Sequence, residues 1–270
     1  MKKLQQTQLS RSPALWGGKE TTMNIAIRDR FIELWKRFFN KAALPLAFQF
    51  TDDGKKAPRA GKVQGHRCII ADFGLVGKGR SLLFDAENLG CMGSKRYLGF
   101  TRELCPDFNY FLSCGIPGKL EGERYKKSPE LVGEFMKKQS FLEAPRSHVV
   151  FKRWDMLVED DDPEVVIFLE RPDVIAGLFT LANYDRSEPY GVVTPFGSAC
   201  MTMVMYPFLE GKSESPRAVL GLWDPSARPF VPASRLSLAL PFRRFLSLLE
   251  YMEDSFLSTP GWEMIRRRIR

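Results

Sequence analysis

Glu164-Val165-Val166-Ile167-Phe168-Leu169, then Asp173-Val174-Ile175-Ala176-Gly177-Leu178-Phe179-Thr180-Leu181-Ala182, then Tyr190-Gly191-Val192-Val193 decide how the chain folds. The first run is apolar and of strand length, the second reads as a helix, and the third is a short strand. Strand, helix and strand in succession form a unit that lays a helix on a sheet. Residues 149–158 form a further strand, separated from 164–169 by the acidic turn Glu159-Asp160-Asp161-Asp162-Pro163, which reads as solvated. The fold class is therefore α/β (α+β): one domain with a mixed β-sheet and flanking helices.

Working outward, residues 24–40 carry Ile27, Phe31, Leu34, Trp35 and Phe38 at helical spacing, which predicts an amphipathic helix. Pro45 stops it, and residues 46–50 read as a strand. Residues 52–62 are a polar loop. Residues 67–73 are an apolar run read as a strand, 74–80 a turn, and 81–85 a second short strand. Residues 106–128 are irregular and 129–141 suit a helix. Towards the C-terminus, 197–209 read as a helix with Ser198 as N-cap, which puts Cys200 in its first turn. Residues 217–223 and 236–240 are strands. Residues 241–257 form a final amphipathic helix with Phe242, Phe245, Leu246, Leu249, Met252 and Phe256 inward.

The 270 residues are 44% hydrophobic and 27% charged, the profile of a soluble globular protein. Apolar runs fall short of the roughly 18 residues a membrane span needs. The net charge of +8 invites a nucleic-acid reading, but +3 of it lies in residues 1–22 and +3 in 261–270, leaving +2 on the body. The reading is thus a flexible basic N-terminal extension (1–22, with Met23 as an alternative start), a globular domain (23–260) and a basic C-terminal tail (261–270). Charged ends of this kind are usually solvated, and no nucleic-acid motif accompanies them. The five cysteines come without a secretion signal, so a reducing, cytoplasmic setting is expected rather than a disulfide framework.

The chemistry centres on Cys68, on Cys91 in Leu89-Gly90-Cys91-Met92-Gly93, and on Cys200 in Phe196-Gly197-Ser198-Ala199-Cys200. No pair has metal-motif spacing, so each ligand would come from a separate segment. Three thiolates gathered in space would hold an iron–sulfur cluster or a thiolate-ligated metal. Gly90, Gly93 and Gly197 would shape the pocket, Lys95 or Arg96 would balance charge, and Asp85 and Glu87 would support the ligands. Against this stands the reading that all five cysteines are small buried hydrophobes. A cysteine nucleophile would need His66 or His148 as base. A different class of function is a metal-free module binding a small anionic ligand through Lys78, Arg80, Lys95 and Arg96. Gly74-Leu75-Val76-Gly77-Lys78-Gly79-Arg80-Ser81 lacks the phosphate-loop pattern and reads as a basic turn. Asp224 and Arg228 read as a turn held by its own side chains. A third reading has Arg266–Arg270 binding a partner protein.

Several of these segments together resemble one family. They are Arg67-Cys68-Ile69-Ile70-Ala71-Asp72, Lys78-Gly79-Arg80-Ser81, Asp85-Ala86-Glu87-Asn88-Leu89-Gly90-Cys91 and Arg96-Tyr97-Leu98-Gly99-Phe100. Further on come Ala182-Asn183-Tyr184-Asp185, Pro195-Phe196-Gly197-Ser198-Ala199-Cys200 and Asp224-Pro225-Ser226-Ala227-Arg228. Over residues 27–258 the chain is similar to the domain of unknown function 169 family, an uncharacterised archaeal conserved region. Ser94 stands where that family pattern has a second glycine. The resemblance implies a cytoplasmic protein of bacteria and archaea and marks the thiols at Cys68, Cys91 and Cys200 as family features. It implies no activity.

Overall fold

Side chains alternate along the central strands, and that alternation gives the sheet two apolar faces. The computed structural model describes residues 23–62 and 65–269; the extension expected over 1–22 lies outside the described residues. Among the described residues the seven strands are β1 (Leu46–Thr51), β2 (Leu82–Phe84), β3 (His148–Arg153), β4 (Val165–Glu170), β5 (Val192–Val193), β6 (Ala218–Gly221) and β7 (Leu236–Pro241). They lie in the order β2-β3-β1-β4-β7-β6-β5. All neighbours are antiparallel except β5 and β6, so the sheet is mixed. The acidic turn does not close a simple hairpin, because β1 sits between β3 and β4 and pairs with both.

Nine helices flank the sheet among the described residues: α1 (Ile25–Phe39), α2 (Ile70–Val76), α3 (Met92–Tyr97), α4 (Phe108–Phe111), α5 (Pro129–Lys138), α6 (Pro172–Leu181), α7 (Tyr206–Glu210), α8 (Phe242–Tyr251) and α9 (Pro260–Arg266). On one face, Ala47, Val166, Phe168, Leu238 and Leu240 meet α1, α6, α8 and α9. The predicted stripe of α1 is buried there, and the Asn24 side chain caps its first turn by accepting from the Ile27 amide at 2.8 Å. The Phe31 ring lies 5.4 Å from Trp35, 5.1 Å from Trp154 and 5.0 Å from Phe245, within the range where aromatic pairs add to burial. On the other face, Phe48, Phe151, Val165, Ile167 and Ala239 meet α2, α3 and the helix that begins at Ala199.

Three expectations change. Residues 67–73 are not a strand: Ile69, Ile70, Phe73 and Val76 all bury, a spacing of three and four that belongs to a helix. Cys68 therefore lies in the coil entering α2. The acidic turn is not fully solvated either. Asp161 is buried and accepts two hydrogen bonds from Lys152 Nζ at 2.9 Å, with Lys56 at 3.4 Å, because a buried carboxylate needs a paired charge. Residues 261–270, expected as a tail, include most of α9. Trp262 is buried against Phe39 and donates its Nε1–H to the Phe38 carbonyl at 2.8 Å. Arg266 and Arg267 pair with Glu263, and Arg268 pairs with Asp173.

Candidate functional site

Four segments meet on the face opposite α1, and direct contacts link them in a chain. The Arg67 amide donates to the Gly90 carbonyl at 3.1 Å, so Cys68 and Cys91 each lie one residue from a shared hydrogen bond. Cys91 takes the N-cap position of α3 in extended conformation. One turn on, the buried Ser94 hydroxyl lies 3.5 Å from Cys200 Sγ. Cys200 sits in the opening turn of a helix that widens at once into a π-helical stretch, Met201–Met205, where the Tyr206 amide donates to the Met201 carbonyl. Such stretches recur at functional sites. Thr202 faces the end of β6. A side chain at Gly221 would collide with Thr202, and the Thr202 hydroxyl accepts from the Leu222 amide at 3.4 Å. Two residues further stands Asp224.

The electrostatics follow from this crowding. Burial pushes the Cys68 thiol up to about 11, and the charges of Cys91, Asp224 and Asp72 push the same way. Cys200, buried, is raised well above the ordinary thiol value by burial and then by Cys68 and Cys91, with Ser94 opposing. Burial likewise lifts Tyr97 to about 12, with Cys200 and Cys91 among its neighbours. Cys105 is raised by burial and feels Cys91. Asp224 is raised by burial, offset in part by the Ser226 hydroxyl and the Ala199 amide. Near neutral pH Cys68 and Cys200 are therefore held as S–H.

The residues singled out from the sequence divide. Cys68, Cys91 and Cys200 act on one another's charge. A Cβ placed on Gly93 would stand 3.5 Å from Cys91 Sγ, so that glycine does border the thiol. One on Gly90 would meet Arg67 at 3.2 Å, and one on Gly197 would meet Met201 at 3.0 Å; these two glycines admit neighbouring chain. Arg96 donates to the Arg102 carbonyl and lies over the Phe141 ring, while Lys95 is half-buried in the last turn of α3. Lys78 and Arg80 are exposed in the turn after α2. Asp85 and Glu87 pair with Arg59 rather than with the thiol segments. His66 is exposed, and His148 meets the Ser147 hydroxyl at 2.8 Å and Asp85 at 3.9 Å. Arg228 reaches beyond its own turn to the Ala233 and Arg235 carbonyls.

Sequence reasoning gave no site role to Asp224, Ser94 or Cys105. Asp224 carried a signal in its Asp-Pro-Ser-Ala-Arg segment, which reads as a turn on local grounds alone. Met92, Phe196 and Trp223, each beside one of the converging segments, are exposed. Lys126 Nζ lies 4.2 Å from the Phe196 ring and 4.5 Å from that of Phe135, fastening the loop before α5 over this rim.

Among the described residues no three His, Cys, Asp or Glu side chains are grouped tightly enough to grip a single metal ion, and no helix is long and apolar enough to cross a membrane. A groove of about 590 Å³ lies away from the thiols, lined by Arg37, Phe38, Glu263 and Arg266, but its arginines are paired with Glu253 and Glu263. No curated protein and no solved structure matches the chain. The pattern of the domain of unknown function 169 family, described as an uncharacterised ArCR, matches residues 39–251, and the chain belongs to that family.

Proposed function

We propose that the protein binds an iron–sulfur cluster through Cys68, Cys91 and Cys200 and serves a redox or accessory role with it. One observation carries the reading: the Arg67–Gly90 hydrogen bond and the 3.5 Å approach of the Ser94 hydroxyl to Cys200 bring three thiol-bearing segments from distant parts of the chain together. A single ion is disfavoured as that cofactor. Thiolates around a single zinc stand about 3.8 Å apart, given a metal–sulfur distance of about 2.3 Å, and that tight grouping is missing among the described residues. A multi-iron cluster takes thiolates set further apart. Cluster binding also answers the electrostatics, because iron supplies the positive charge that lets buried thiols ionise.

A nucleophile reading fares worse. It needs a lowered thiol pKa and a nearby base, yet Cys68 and Cys200 are raised and His148 is engaged with Ser147 and Asp85.

The test is anaerobic purification, reconstitution with ferrous iron and sulfide, and analysis of both elements with an absorbance spectrum. Wild type is expected to be brown with stoichiometric iron and sulfide, and Cys91→Ser to lose at least about tenfold of its iron while keeping its far-UV circular dichroism. Wild type that stays colourless after reconstitution, or Cys91→Ser with full iron content, would overturn the proposal.

A further inference from the structure

We propose that, with no cofactor bound, Cys68 and Cys91 form a reversible disulfide that ties the entry of α2 to the entry of α3. Such a bond needs no metal and withdraws two of the three ligands assigned above, so disulfide and cluster exclude one another.

The backbone brings these two segments together. The Arg67 amide donates to the Gly90 carbonyl at 3.1 Å. A Cβ on Gly90 would stand 3.2 Å from the Arg67 Cβ, nearer than the roughly 3.8 Å that separates the two Cβ atoms of a disulfide. Cys68 and Cys91 each follow this contact by one residue. Both also lie where the chain can adjust. Cys68 is in the coil before α2 and Cys91 takes the extended N-cap position of α3, so neither stands inside a helix or strand. Each is half-buried, and a small oxidant can reach it.

Cys200 is the rival partner. It is buried, its Sγ lies 3.5 Å from the Ser94 hydroxyl, and it stands within a helix. Pairing it with Cys91 would move that helix or the facing chain and break the contact with Ser94. Cys68 asks only for adjustment of coil.

The oxidant belongs to the class of low-molecular-weight disulfides. The Cys91 thiolate attacks one sulfur of such a disulfide, forms a mixed disulfide and releases one small thiol. The Cys68 thiolate then attacks the Cys91 sulfur, forms the Cys68–Cys91 bond and releases the second small thiol. The two protons leave the protein with the two released thiols, which also carry the two electrons. The loop closed in this way holds α2 and β2, so oxidation fastens the chain on both sides of the thiol site.

The experiment uses full-length wild type, Cys68→Ser, Cys91→Ser and Cys200→Ser, with circular dichroism to verify folding. Each is reduced, stripped of iron with a chelator and equilibrated with mixtures of reduced and oxidised glutathione. Free thiols are then alkylated, and mass spectrometry counts and maps them. Wild type is expected to lose two alkylatable thiols together and to yield a peptide pair joined at Cys68 and Cys91. The folded protein should need at least about tenfold less oxidised glutathione for this than the chain in urea, because the fold raises the effective concentration of one thiol at the other. Cys200→Ser should give the same pair, and Cys68→Ser and Cys91→Ser should give none. Wild type that keeps every thiol alkylatable, a link mapped to Cys200 or Cys105, or a folded protein no easier to oxidise than the unfolded chain would overturn the disulfide. Iron content reads a separate property. A wild type that forms the link but stays colourless on reconstitution removes the cluster reading alone, and one that takes up iron but never forms the link removes the disulfide alone.

Discussion

At the scale of single residues, Glu164 shows how position overrides composition. It heads β4, where its carboxylate accepts from the Phe50 amide at 2.7 Å. Burial raises its pKa from the ordinary 4.5 to about 7, with that amide pulling back and Asp162 pushing further. Below about pH 4.5 folded and unfolded chains both hold the proton, and Glu164 has no effect on the balance. Between 4.5 and 7 only the folded chain keeps it, so stability declines as pH rises, by at most about 3 kcal/mol once the folded carboxylate ionises. Glu164→Gln keeps an acceptor for Phe50 and removes the titration. Urea midpoints should therefore fall less steeply from pH 5 to 8 in the variant and lie above wild type at pH 8; parallel curves would show that other groups set the slope. The thiols were legible as candidates because a cysteine beside glycine or at a helix start stands out in any sequence. Asp224 was not, since what marks it is its approach to the Ala199 amide and a leucine at positive φ two positions before it, and both exist only once the chain is folded.

At the scale of elements, helices with one clean apolar stripe were readable and short ones were not. The stripe of α1 follows from the spacing of its apolar residues. In α2, seven residues of which four bury, the apolar run is too short for its period to separate helix from strand. The sheet order was hidden for another reason: β3 and β4 are near in sequence, yet β1 comes between them, and a pairing over so many residues leaves no local trace. The packing of α6 yields a sharp expectation. An added methyl at Gly177 would strike the Trp262 ring of α9 and also stand 3.0 Å from Phe39. Helix propensity alone favours alanine by about 1 kcal/mol, but overpacking costs about 1–3 kcal/mol. Gly177→Ala is expected to lower the denaturation midpoint; a rise would mean that Trp262 can move aside.

At the scale of the whole molecule, the last helix closes the aromatic face. Besides Trp262, the chain end sends in Ile269, which is buried and whose carbonyl accepts from Asn40 Nδ2 at 2.7 Å. The basic charge of this segment drew a reading as tail because charge counts weigh four arginines and overlook one tryptophan. Removing residues 260–270 should destabilise the protein by at least about 3 kcal/mol, the usual cost of emptying one large aromatic site, and calorimetry would register it as a fall in Tm; an unchanged Tm would make the segment dispensable. The sheet also does something that neither face shows alone. Along β4 the odd-numbered positions Val165 and Ile167 serve the thiol side, and the even-numbered Val166 and Phe168 serve the aromatic side. One strand thus carries two interleaved messages, and mutations written into one can leave the other intact. Variation can harden or soften the aromatic side to suit temperature without disturbing the packing of the thiol side, so that one scaffold can change its climate on one face alone.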